Sequence, residues 1–67
     1  MIALTVNGER CALPDASNVS RLLEYLALSA KRLAVELNGE IVPRSRFAQQ
    51  KLADGDKVEI VVAVGGG

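Results

Sequence analysis

The chain has 67 residues, a mass of 7.1 kDa, eight Lys plus Arg against eight Asp plus Glu, and no His. One domain is expected, because a chain of ~60 residues buries only about 60% of its unfolded surface and has no room for a deep catalytic cleft. A net charge of zero and a pI near 6.1 argue against nucleic acid, whose binders need a basic surplus to displace counterions. The absence of a run of ~20 apolar residues, or of a basic start leading into an apolar stretch, predicts no membrane span and no signal peptide, hence a cytosolic address.

Ile2, Leu4 and Val6 alternate with Ala3 and Thr5, the period of a strand with one buried face. Asn7-Gly8 suits a two-residue type I′ turn, which would pair Val6 with Glu9, Leu4 with Cys11 and Ile2 with Leu13. Pro14 ends the second strand because it has no N–H for a ladder. After Asp15 to Asn18 the period changes. Val19, Leu22, Leu23 and Leu26 form one apolar stripe of an amphipathic helix of about three turns, with Asn18 as its N-cap. Arg21 and Glu24 face solvent, and Lys31 and Arg32 just beyond suit the negative end of the helix dipole.

Leu33, Val35 and Leu37 alternate again, and Asn38-Gly39 turns the chain into Ile41-Val42, a second hairpin stopped by Pro43. From Arg44 to Ala53 no regular element is expected beyond a helical turn, with Phe47 and Leu52 as apolar anchors. Asp54-Gly55-Asp56 is a turn that launches a strand from Lys57 to Val64. Val58, Ile60, Val62 and Val64 share one face of it, opposite Glu59, Val61 and Ala63. A strand apolar on both sides suggests a central place in the sheet, beside the first strand. The order of elements predicts an α+β fold, a β-grasp roll of the ubiquitin type, in which one main helix packs across a mixed sheet. Residues 1–64 form the domain and 65–67 a flexible glycine tail.

Absences constrain the chemistry. Without His, neither a Ser-His-Asp nor a Cys-His constellation can be built, so no residue is assigned as catalytic and the chain is not expected to be an enzyme. Cys11, the single cysteine, falls inward beside Leu4 and reads as buried packing. Asp54 and Asp56 read as turn chemistry rather than a metal site, since calcium loops use more carboxylates over about twelve residues. Arg44, Arg46 and Lys51 read as a solvated basic surface, with an electrostatic docking patch as the alternative. Tyr25 falls off the helix stripe and reads as a surface aromatic.

The positive signal is Gly65-Gly66-Gly67 directly after the last strand. These residues have no side chains to pack, and ordering glycine is entropically expensive. They do give thinness and a reach of about 10 Å, at ~3.3–3.6 Å per residue. Such a tail can carry the α-carboxylate of Gly67 into the active site of another protein. A carboxylate with a pKa of ~3.3–3.7 is anionic at neutral pH and a poor electrophile, so it needs activation by adenylation with ATP inside a partner enzyme. No cofactor need be bound by the chain itself.

The run LNGEIVPRSRF from Leu37 to Phe47, the segment from Leu52 through DGD, VEIV and AVGGG to Gly67, and the NVSRLLEYL helix resemble the thiamine-biosynthesis sulfur carrier family, ThiS. The resemblance spans the whole chain, and its most particular part is Asn38-Gly39 followed by Val42-Pro43-Arg44. It implies that Gly67 is adenylated by a ubiquitin-activating-like enzyme and becomes a thiocarboxylate, with Gly66 as the other residue of the terminal pair. Sulfur would come from a cysteine desulfurase or related donor and pass to thiazole synthase, and the free chain would be a monomer. The sheet surface near the tail would be the docking face, holding Ala3, Thr5, Ala12, Val61 and Ala63. The family usually ends in two glycines where this chain has Gly65, Gly66 and Gly67, which leaves Gly65 in either strand or tail. Other readings are a carrier like the small subunit of molybdopterin synthase, a modifier conjugated to other proteins, and a non-carrier β-grasp interaction module.

Overall fold

Both Asn-Gly dipeptides form the turns expected of them: Asn7 and Gly8 sit at φ 52° and 84°, Asn38 and Gly39 at 51° and 87°. Positive φ at both central residues gives a turn whose twist matches that of the flanking strands. The first turn joins β1 (Ile2–Val6) to β2 (Glu9–Leu13), and the second joins β3 (Leu33–Leu37) to β4 (Glu40–Val42). The β1–β2 register pairs Val6 with Glu9, Leu4 with Cys11 and Ile2 with Leu13, as predicted. The computed structural model describes residues 1–63. The predicted strand end at Val64 and the Gly65–Gly67 tail lie outside the described residues.

The last strand, β5 (Lys57–Val62), is central in a five-stranded sheet of order β2-β1-β5-β3-β4. It runs parallel to β1 at Thr5–Lys57 and Val6–Val58, and antiparallel to β3 from Leu37–Val58 to Leu33–Val62. One helix, α1 (Val19–Tyr25), packs across one face of this mixed sheet, which is the expected β-grasp. Leu22, Leu23 and Val19 from the helix meet Leu4, Leu13, Val35, Val58 and Ile60 from the strands. Phe47 and Leu52, 7% and 5% exposed, close the side of this core as the anchors they were expected to be.

Two expectations need correction. The helix has seven residues, about two turns rather than three. Ala27 adopts φ 60°, and the Leu28 N–H donates to Leu23 O at 2.7 Å while the Ala27 N–H donates to Glu24 O at 3.0 Å. This pair of bonds is the Schellman stop, usually made with glycine at the left-handed position. It turns the chain away before Lys31 and Arg32, so no basic residue lies in the last helical turn. Cys11 points inward against the core but is only half-buried, because β2 is an edge strand. The central place expected of β5 is observed, and Val61, expected on the outer face, is 68% exposed there.

The connection after β4 begins with Pro43 and a short 3-10 turn, Arg44–Arg46. It then supplies acceptors for the helix N-terminus. The N–H groups of Val19 and Ser20 donate to Gln50 O and Phe47 O at 3.0 and 3.1 Å. The Arg21 N–H donates to Asn18 Oδ1 at 2.8 Å, the predicted cap. Three otherwise orphaned donors are thereby satisfied. Among the described residues no helix is long and apolar enough to cross a membrane.

Candidate functional site

The strand that leads toward the glycines is held from both sides by asparagine side chains. On the β1 side the ladder ends where the Asn7 N–H donates to Val58 O at 2.9 Å. One step further the Asn7 side chain replaces the missing strand: its Oδ1 accepts from the Ile60 N–H at 2.7 Å and its Nδ2 donates to Ile60 O at 3.1 Å. On the β3 side the Asn38 N–H donates to Lys57 O at 2.8 Å, and Asn38 Oδ1 accepts from the Lys57 N–H at 2.9 Å. Asn38 Nδ2 adds a bond to Asp56 Oδ1 at 3.0 Å. The pairing continues to the Ala63 N–H, which donates to Arg32 O at 2.9 Å. An amide can do this because it carries a donor and an acceptor on one planar group, matching the N–H and C=O that an unpaired strand residue presents.

Of the two aspartates in the predicted turn, Asp56 acts locally, its Oδ2 accepting from the Ala53 N–H at 2.8 Å, whereas Asp54 Oδ1 accepts from the Ala3 N–H at 2.7 Å and ties the turn to β1. Among the described residues no group of three or more His, Cys, Asp or Glu could hold a metal ion. Arg44, Arg46 and Lys51 are exposed. The Arg44 guanidinium lies 5.9 Å from the centre of the Phe47 ring and donates to Lys31 O at 3.1 Å. Tyr25 is 65% exposed.

Ala3, Thr5, Ala12, Val61 and Ala63 all lie on the sheet face away from the helix, with Thr5 half-buried and the others exposed. They do not form one patch. Ala3 and Ala12 are direct partners beside Thr5, and Thr5 is level with Lys57. Val61 lies four residues further along β5, about 13 Å at ~3.3 Å per residue. Lys57 and Glu59 occupy the outer face between the two groups. Residues not singled out from the sequence fill the other end: Ala34 faces Val61, and Glu36 lies between Glu59 and Ile41. Sequence alternation already places Ala34 and Glu36 opposite Leu33, Val35 and Leu37, but only the pairing of β3 with β5 and β4 shows which residues they face. Gly65, Gly66 and Gly67 are outside the described residues.

A mixed sheet folded on one helix, with its central strand clamped on both sides and leading toward glycines, defines a β-grasp domain that exposes no catalytic cluster among its described residues. Residues 3–67 match the family model described as the ThiS family. The chain belongs to that family. It is 40% identical over 53 residues to the sulfur carrier protein ThiS of Bacillus subtilis, covering 79% of this chain and 80% of that one. It is 45% identical over 64 residues to a thiazole synthase of Paramagnetospirillum magneticum, where the match covers 96% of this chain but 20% of the longer protein. The crystal structure of the thiamine biosynthesis protein ThiS from Geobacter metallireducens superposes with a TM-score of 0.83 at 39% identity, covering 98% of this chain and all of that one.

Proposed function

We propose that this chain is a sulfur carrier for thiamine biosynthesis, acted on by partner enzymes, and that the α-carboxylate of Gly67 is the group that carries the sulfur. In the first step a carboxylate oxygen attacks the α-phosphorus of ATP in an adenylating enzyme, and pyrophosphate leaves. In the second, hydrosulfide, released from the persulfide of a cysteine desulfurase or related donor by a thiol reductant that is oxidised to a disulfide, attacks the acyl carbon; the acyl C–O bond breaks and AMP leaves with the bridging oxygen. The product thiocarboxylate delivers its sulfur to a thiazole synthase. The observation that carries this reading is the family match, which runs through Gly67 itself. The partner is supported by the thiazole synthase of which 20% resembles this chain. Gly65 and Gly66 serve as the thin arm, because residues without Cβ pass through a channel closed to others.

The chain's own contribution is mechanical. Asn7 and Asn38 hold β5 from both sides, and docking through the exposed sheet face orients the domain. The test is intact-mass analysis after incubation with the adenylating enzyme, ATP and a sulfide donor. The wild-type chain should exchange one oxygen for one sulfur, and Gly67→Leu should remain folded without exchanging. An unchanged wild-type mass would overturn the proposal, and a mass shift retained by Gly67→Leu would overturn the requirement for a last residue without a side chain.

A further inference from the structure

On the outer face Glu36 of β3 and Glu59 of β5 are direct cross-strand partners. Side chains so placed have Cβ atoms roughly 4.5–5.5 Å apart, and like charges there repel. The ion pairs of the described residues are those of the N-terminus with Asp15 and of Arg21 with Glu24, and neither includes these carboxylates. The repulsion is therefore not relieved by a salt bridge within the described fold. Apolar side chains border the acidic pair. Ile41 is the partner of Glu36 on the other side and is 65% exposed, while Val61, 68% exposed, follows Glu59 on the same face with Ala34 opposite it. Large apolar groups beside unpaired like charges contribute little to a free monomer, and together they form a surface complementary to a cation set among apolar side chains.

We infer that the outer face of β5, β3 and β4, centred on Glu36 and Glu59, docks a protein partner that places an arginine or lysine between the two carboxylates. Its apolar neighbours would cover Val61 and Ile41. The partner's identity rests on the carrier reading: it is the adenylating enzyme, the protein that first receives Gly67. Continuity along the strand favours this. Glu59 and Val61 lie in line on one face of β5, and the six residues that follow Val61 in the sequence, ending at Gly67, reach at most about 22 Å. An enzyme that takes up the tail is thus brought over this surface. A guanidinium bonded to both carboxylates would turn a mutual repulsion into two charge-assisted hydrogen bonds, strengthened as Val61 and Ile41 shed water.

The experiment measures thermal stability of the full chain and calorimetric affinity for the adenylating enzyme, for wild type, Glu36→Gln/Glu59→Gln, and Glu9→Gln as an exposed control on the far edge strand. Removing both charges should leave the melting temperature equal to or above wild type while weakening Kd by about tenfold or more. Wild-type affinity should also fall more steeply with salt than that of the double variant. The control should match wild type in both respects. A double-variant Kd within about twofold of wild type, a melting temperature that falls along with affinity, or no wild-type binding would overturn the inference. Affinity lost only toward thiazole synthase would assign the surface to that other occupant and overturn it as stated. A wild-type chain that binds with this glutamate dependence, yet never exchanges oxygen for sulfur, overturns the carrier reading and leaves the docking surface standing.

Discussion

Replacing Asn7 tests how β5 is held, and the expected size of the effect follows from two bonds and one dihedral angle. The side chain exchanges hydrogen bonds of 2.7 and 3.1 Å with the backbone of Ile60, each worth ~0.5–1.5 kcal/mol net. Its backbone sits at φ 52°, where a residue with an ordinary side chain loses about 1–2 kcal/mol. Asn7→Gly removes both bonds but relaxes the backbone, so a loss of about 1–3 kcal/mol is expected. Asn7→Ala removes the bonds and puts alanine at a dihedral that Asn tolerates and alanine does not, so it should lose about 2–5 kcal/mol. That approaches the ~3–5 kcal/mol that a core of this size supplies, which makes the glycine variant the better one to measure. Asn7→Asp keeps an acceptor for the Ile60 N–H but sets a carboxylate against the Ile60 carbonyl. It should be less stable than wild type although the turn itself tolerates Asp. Urea unfolding gives the three free energies, and native-state hydrogen exchange at the Ile60 amide locates the change. If Asn7→Gly matched wild type in both stability and Ile60 protection, the clamp would have no energetic role and the turn alone would explain the residue.

Other outcomes can be checked with the same unfolding assay. Leu23→Ala, at a site 3% exposed, should cost ~2–5 kcal/mol as a large core deletion, and an unchanged melting curve would contradict the packing of the helix. Ala27→Gly should stabilise the chain by about 0.5–1 kcal/mol, because the left-handed conformation at the helix stop carries no steric penalty for glycine. A loss of stability there would show that the Ala27 methyl contributes more than its dihedral costs. Asn18→Ala should cost ~1–2 kcal/mol, toward the upper end of capping effects because Asn18 Nδ2 also donates to Ala48 O at 3.0 Å.

Much of the fold was legible in the chain because its signals are local. Alternation of Ile2, Leu4 and Val6 and the dipeptide Asn7-Gly8 together specify the first hairpin to the residue, and the structure pairs them as expected. Asn18 before the Val19-Leu22-Leu23 stripe marks the helix start. The helix end was less legible, since a stop at Ala27 depends on a dihedral that alanine rarely adopts. The clamps were missed for a different reason. Asn7 and Asn38 already had a sufficient local explanation as turn residues, and their second role needs β5 to arrive from more than fifty and nearly twenty positions away, respectively. A usable hint was that both turns carry Asn, whose amide can donate and accept, rather than Asp or Gly.

Pattern and composition were enough to exclude His-dependent catalysis, to assign the β-grasp and to single out the terminal glycines, because each depends on residue type, period or order along the chain. Tertiary structure decided which outward residues meet. Glu36 and Glu59 are 23 positions apart in the sequence, and only the antiparallel register of β3 with β5 makes them neighbours. The parallel register of β1 with β5 separates Ala3, Thr5 and Ala12 from Val61 along the sheet. A strand's period says which face a side chain is on. Its neighbours across the sheet are set by long-range pairing, and that is where this protein's surface acquires its charge pattern.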